Sequence, residues 1–252
     1  MHILIIGAAG MIGRKLTAGL AKAGQVGGKK IIKLTLADVI KPEPALYAGA
    51  VETIATDLSA PGAAQALIDS RPDLIFHLAA IVSGEAEADF EKGYRINLDG
   101  MRLLLEAIRL EGISRPYFPK LAFTSSVAVF GAPFPEAIGD EFFSTPLTSY
   151  GTQKAIGELL LNNYSRRGFV DGIGIRLPTI VIRPGKPNLA ASGFFSSILR
   201  EPLSGKEAVL PVSRDIRHWF ASPRAAVGFL LHAAELDTQA LGGRRTLSAP
   251  GL

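Results

Sequence analysis

A short apolar run, His2-Ile3-Leu4-Ile5-Ile6, ends directly in Gly7-Ala8-Ala9-Gly10-Met11-Ile12-Gly13, and a helical pattern begins at once. Gly7 allows a tight turn out of a buried strand, Gly10 lets main chain come close to a bound group, and Gly13 lets the helix pack near the strand. The helix start then presents unpaired N–H groups and a partial positive charge to an anion. Gly7, Gly10, Met11, Ile12 and Gly13 therefore read as a cradle for a pyrophosphate. The plainer reading is a strand–helix turn with no ligand; a strand before and a helix after favour the cradle.

The alternation continues. Short apolar stretches at 2–6, 33–37, 52–55, 74–78, 120–124 and 174–177 are separated by helical patterns at 11–23, 62–71, 91–110 and 149–166. Strands that are apolar throughout, rather than at every second residue, belong to a parallel sheet covered on both faces. Right-handed crossovers then predict a doubly wound α/β sheet. With 252 residues, 48% hydrophobic and 20% charged, the chain can build one such domain with a small appendage. Prolines and glycines crowd in after Thr179 (Pro184, Gly185, Pro187, Gly193, Pro202). The expected division is a first domain over 1–179 and a smaller, less regular lobe over 180–252. A helix near 223–236 is expected to return to the first domain.

The net charge is +4 with a pI near 9.4, but the basic residues are scattered pairs without aromatic interleaving. That argues against a nucleic-acid surface and for a site that welcomes anions. There is no cysteine, so disulfides and thiolate metal sites are excluded. His2, His77, His218 and His232 lack ligand spacing, and no metal is expected. No apolar run reaches a membrane span, and the first residues lack a basic leader, so a cytoplasmic, soluble protein is expected.

Asp38 stands at the end of the second long strand, where a carboxylate can accept both hydroxyls of an adenosine ribose and repel a 2′-phosphate. This favours NAD over NADP, although Arg14 and Lys41 could soften the preference. Asp57 and Leu58, after the next strand, could flank the adenine; a helix N-cap is the competing reading. Tyr150 and Lys154 share one helix face, and an ammonium beside a phenol eases its ionisation, making Tyr150 a candidate general acid or base. Ser126 ends a buried strand at the carboxyl edge of the sheet, where ligands sit. It could hold a substrate oxygen, or simply cap the strand end.

Together, Gly7-x-x-Gly10-x-x-Gly13, Asp38, His77-Leu78-Ala79-Ala80, Thr124-Ser125-Ser126 and Tyr150-Gly-Thr-Gln-Lys154 resemble the extended short-chain dehydrogenase/reductase family, the NAD-dependent epimerase/dehydratase group. The resemblance implies a Rossmann-type sheet and a bound nicotinamide dinucleotide. It places Ser126 and Tyr150 on the catalytic hydroxyl pair and Lys154 on the lysine. It puts Leu78, Ala79, Ala80 and Pro178 along the cofactor, and Asn97 where a helix asparagine supports the site. It also implies pairing of two copies through helices that include the one bearing Tyr150. Members of the group run on past the position of Leu252, so the small C-terminal substrate lobe is expected to be truncated here, its last part absent.

Dehydration is disfavoured, because no carboxylate stands beside Ser126 in Thr124-Ser125-Ser126-Val127. The segment Arg176-Leu177-Pro178-Thr179 lacks the asparagine with which nucleotide-sugar members hold a diphosphate. Arg183, in the basic run 180–188, and Arg217 could meet a small carboxylate, or merely pair with surface acids. The wording of 76–87, 94–100 and 183–188 resembles the branch of the family that oxidises a four-carbon sugar acid at C2. There Ser83 could reach another substrate hydroxyl, unless it is only a loop serine. The expected function is thus NAD-dependent oxidation of a small anionic sugar acid. A nucleotide-sugar epimerase with tightly held NAD is the alternative, and a non-catalytic NAD-binding regulator the second.

Overall fold

A computed structural model describes residues 1–139, 142–185 and 188–251. Lys186 and Pro187, in the basic run expected to meet the substrate, lie outside the described residues. The elements follow in order: β1 (His2–Ile6), α1 (Met11–Ala23), β2 (Gln25–Val26), β3 (Lys29–Lys30), β4 (Lys33–Asp38), β5 (Ala50–Ala55), α2 (Ala63–Ile68) and β6 (Leu74–His77). Next come α3 (Ser83–Ala88), α4 (Phe90–Tyr94), α5 (Gly100–Ser114), β7 (Lys120–Ser126), α6 (Ser149–Arg166), β8 (Asp171–Leu177) and β9 (Thr179–Ile180). The chain closes with α7 (Phe194–Leu203), β10 (Phe220–Ala221), α8 (Pro223–Glu235) and β11 (Thr246–Ser248).

Seven strands form one parallel sheet in the order β11-β8-β7-β6-β1-β4-β5. This is the expected doubly wound, Rossmann-type arrangement, with the strand order reversing at β1. Alternate residues of β1 serve opposite faces. Ile3 and Ile5 pack with Leu16 and Leu20 of α1 and Leu230 and Ala233 of α8. Leu4 and Ile6 pack with Ile68 of α2 and with Met101, Leu104, Leu105 and Ile108 of α5. Both faces are buried, which is why the strand reads as unbroken apolar sequence.

Strand length places the site. β6 stops at His77, opposite Phe123, while β7 continues through Thr124, Ser125 and Ser126 against β8. The hydroxyl-bearing end of β7 therefore projects past its neighbour at the carboxyl edge, beside the reversal at β1.

Two elements differ from expectation. The helix predicted over 91–110 is α4 and α5 joined by one wide π-helical turn, Arg95–Asp99, a widening that re-aims a side chain. That turn carries Asn97. The strand β11 was not legible, because Thr246-Leu247-Ser248 is short and follows Arg244-Arg245. It exists through pairing with β8, where Thr246 lies opposite Gly174; a Cβ on Gly174 would stand 2.9 Å from Thr246 Oγ1. Beyond the main sheet, β9 and β10, which flank α7 in the chain, pair in parallel, and β2 pairs with β3 in a small hairpin. Among the described residues, no helix is long and apolar enough to cross a membrane.

Leu105 is fully buried between α5 and the sheet. Leu105→Ala should lower stability by about 2–5 kcal/mol, read as a lower urea midpoint at unchanged slope.

Candidate active site

The glycine turn leaves no room for side chains on its inner side. Gly7 has φ of 93°, and a Cβ there would lie 2.6 Å from Ala79 N. A Cβ on Gly13 would lie 2.2 Å from Gly7 O. Strand β1, the start of α1 and the loop after β6 are thus in main-chain contact. Gly10 precedes α1 and offers no side-chain cap, so the first N–H groups of the helix look outward. Asp38 adds to the turn: its Oδ2 accepts a hydrogen bond from Ala9 N at 2.9 Å.

Gly7, Gly10, Met11, Ile12 and Gly13 form one wall of a cleft of about 310 Å³, with Arg183 and Arg200 on the other. Among the described residues no acid lines it. A wall of main-chain donors facing the Arg183 guanidinium, which forms no ion pair among the described residues, fits a dinucleotide's diphosphate, while Arg200 beside it is paired with Glu201. The cleft shares Ile12, Leu78, Ala80, Val82, Tyr150 and Arg183 with a larger cavity of about 870 Å³. That cavity also holds Ser126, Lys154, Pro178, Ser83 and Arg217. The two spaces form one trough from the glycine turn to the end of β7.

The three expected catalytic residues meet in this trough. Thr148 caps α6 by accepting from Gly151 N at 3.0 Å, which sets Tyr150 in the first turn. Lys154 is buried; it donates to Thr124 O at 2.8 Å, and its ammonium lies 4.8 Å from the Phe123 ring and 5.7 Å from the Tyr150 ring. Ser126 Oγ accepts from Ala128 N at 3.1 Å. Burial raises the Tyr150 phenol, and the Ser126 hydroxyl and the Arg183 guanidinium partly offset the rise. The cation that eases ionisation of the phenol is thus Arg183 and not, as expected, Lys154, which lies near the ring but spends a hydrogen bond on the Thr124 carbonyl. Burial lowers Lys154 to about 8, opposed by the Glu158 carboxylate. His77, behind it, is lowered to about 3 by burial and by the Lys154 charge.

Other expected residues sit elsewhere. Asn97 is buried and lines neither space: its Oδ1 accepts from Ile81 N at 2.9 Å, and its Nδ2 donates to Gln153 Oε1 at 2.8 Å. It fastens the loop after β6 to α6, a supporting role in place of a cofactor contact. Asp57 accepts from Ser59 N at 2.9 Å and from Arg95 Nη1 at 2.7 Å. Burial would raise its carboxyl, but the Ser59 and Arg95 hydrogen bonds outweigh that and lower it. Leu58 packs in the core near Gly100, and Ala79 packs against Gly7. None of these three lines the trough. Ser83 Oγ accepts from Ala191 N at 3.0 Å, so it ties the start of α3 to the segment before α7 while still lining the cavity. Sequence reasoning missed His218, whose Nε2 lies 2.6 Å from Thr179 Oγ1 and whose ring stacks on Phe195 at 4.6 Å. It also missed Arg200, which only tertiary folding brings opposite the glycine turn.

The sequence profile of the NAD dependent epimerase/dehydratase family matches residues 3–239, and the chain belongs to that family. It is similar to proteins named D-erythronate dehydrogenase from Cupriavidus necator, 49% identical over 256 residues, and Haemophilus influenzae, 46% identical over 253. Each alignment covers 100% of this chain and 78% of the relative. A solved structure from Agrobacterium tumefaciens, described as a nucleoside-diphosphate-sugar epimerase, superposes with a TM-score of 0.95 at 69% identity. It covers 100% of this chain and 74% of that one.

Gly7→Ala should weaken dinucleotide binding at least ~10-fold, because a methyl there strains φ and pushes the Ala79 segment away. Titration of Trp219 fluorescence with NADH reads this directly, since it is the single tryptophan and lines the cavity. His77 makes a second prediction. Its folded pKa is about 3 against 6.5 unfolded, so the unfolded chain takes up the proton first as pH falls. Stability from this residue is present above about 6.5 and is lost towards about 3. His77→Gln should flatten the acid side of a plot of Tm against pH.

Proposed function

We propose that this protein oxidises the carbon bearing the hydroxyl next to the carboxylate of a small sugar acid, of the D-erythronate kind, with NAD. The observation that carries this reading is Arg183. Its Nε donates to Ile180 O at 3.1 Å and its Nη2 to Ser192 Oγ at 3.3 Å, which orients the planar group beside Tyr150. Among the described residues it forms no ion pair with an acid, and neither does Arg217. In a 2-hydroxy acid the carboxylate and the reacting hydroxyl are on adjacent carbons. A guanidinium beside the phenol can therefore grip the one while Tyr150 meets the other.

In the proposed step Tyr150 takes the proton of the C2 hydroxyl and Ser126 holds the same oxygen. Lys154 supports the phenol side of the site and can donate to ribose hydroxyls. When bound, NAD supplies a ring that accepts the hydride leaving C2. The C2 hydroxyl oxygen would give its proton to Tyr150 and the C2 carbon would give up its hydrogen as hydride, so that the C–O bond becomes a carbonyl and a 2-oxo acid results. Asp38 favours NAD, since a 2′-phosphate beside its carboxylate would be repelled. The names of the Cupriavidus and Haemophilus relatives support the substrate class. The description of the Agrobacterium structure suggests an epimerase instead, but Arg176-Leu177-Pro178-Thr179 offers no asparagine for a nucleotide diphosphate.

Incubation with D-erythronate and NAD should yield NADH stoichiometrically, and NADP should be used less well. Conversion of a nucleotide sugar to an isomer of the same mass, without net NADH, would overturn the dehydrogenase reading. Tyr150→Phe should bind NADH nearly as the parent does while kcat falls by about 10²–10⁴-fold.

A further inference from the structure

Glu158 takes no part in the site as described, yet it is buried one helical turn beyond Lys154 on α6. Arg176, on β8, donates to its carboxylate from Nη2 at 2.7 Å and from Nε at 3.0 Å and 3.2 Å. Ser125 Oγ, on β7, donates to the same carboxylate. Arg176 is itself pinned: its guanidinium lies 4.8 Å from the Phe130 ring centre, and Nη2 reaches Ser144 Oγ at 3.4 Å. The pair is 15% and 8% exposed, so desolvation is costly unless the charges are fully met. Here donors from two strands hold the carboxylate in one place.

The surroundings of Lys154 make that place informative. On its own helix the titratable neighbours are Tyr150 and Glu158. From β6 comes His77, which burial keeps neutral. From β7 come only the Phe123 ring and the Thr124 carbonyl. From β8 comes Arg176, bound to Glu158, and from the lobe Arg183 faces Tyr150. Glu158 is the one carboxylate in this group.

We propose that Glu158 is a positioning residue for the reaction: clamped by Arg176 and Ser125, its carboxylate supplies the fixed negative charge that holds Lys154 as an ammonium beside Tyr150. The same clamp ties down Ser125, and with it the end of β7 that presents Ser126. Burial by itself works against the ammonium, and Glu158 is the group that opposes it. This rests on Tyr150 and Lys154 being the proton-handling pair of the proposed function.

The test uses the full chain and two readouts over a pH series: NADH binding by Trp219 fluorescence, and kcat/KM for D-erythronate oxidation. Glu158→Gln removes a negative charge, which favours phenolate and disfavours ammonium. Both limbs of the activity profile, and the alkaline loss of NADH affinity, should move about one unit to lower pH. Arg176→Gln removes a positive charge and should move them to higher pH. Glu158→Asp keeps the charge and should stay close to the parent profile. A strut without electrostatic influence would lower Tm in these variants and move no limb. That result, or shifts of the same sign for Glu158→Gln and Arg176→Gln, would overturn the proposal. If Glu158→Gln does not fold, a profile of Arg176→Gln that fails to move alkaline is decisive against it. The underlying assignment fails separately: full turnover by Tyr150→Phe would remove the proton-handling pair whatever Glu158 does, whereas unmoved NADH-binding limbs would remove only the role of Glu158.

Discussion

The structure depends on main chain meeting main chain at the glycine turn. With Gly7 against Ala79 and Gly13 against Gly7, strand β1, helix α1 and the loop after β6 approach more closely than any side chain permits. That approach brings the N–H groups of α1 and the small residues after β6 to one edge of the sheet. The trough begins there because there are no side chains to fill it. Leu78 and Ala80 line the trough just beyond this contact, with Arg183 across from it.

At the other end of the trough the governing effect is desolvation. Lys154 is buried among Phe123, Thr124 and His77, surroundings that penalise a charge. Its hydrogen bond to Thr124 O and the nearby Glu158 carboxylate lessen that penalty. The phenol of Tyr150 feels burial too, with Ser126 and Arg183 acting in the opposite sense. A site of this kind is sensitive to small charge changes because little water is present to screen them. His77 shows the other solution to the same difficulty, remaining neutral.

Much of the fold was legible in sequence for a plain reason. Strands covered on both faces are apolar throughout, as β1, β4, β6 and β7 largely are, and the six stretches identified are six of the seven strands in the sheet, the edge strand β5 being half-exposed and carrying Glu52. The seventh, β11, is three residues long and is a strand through its pairing with β8. No local pattern could disclose that. The π-helical turn at Asn97 was equally hidden, since it lies inside one continuous helical pattern and no residue type marks a wider turn. Within the site, Ser126, Tyr150 and Lys154 were legible because a strand end and a helix start fix where they face. Asn97, Asp57 and Leu58 were harder, because each is consumed by an internal contact that sequence separation conceals.

Sequence alone determined the kinds of element, their order, the glycine cradle and the phenol–ammonium pair, because each of these is set by residues within about one helical turn or one strand of each other. Tertiary structure decided which charges act on which groups. Arg183 reaches the phenol from the segment after β9, and Arg176 reaches Glu158 from β8. Electrostatic influence follows distance in space and the exclusion of water, and neither quantity is written in the spacing of residues along the chain.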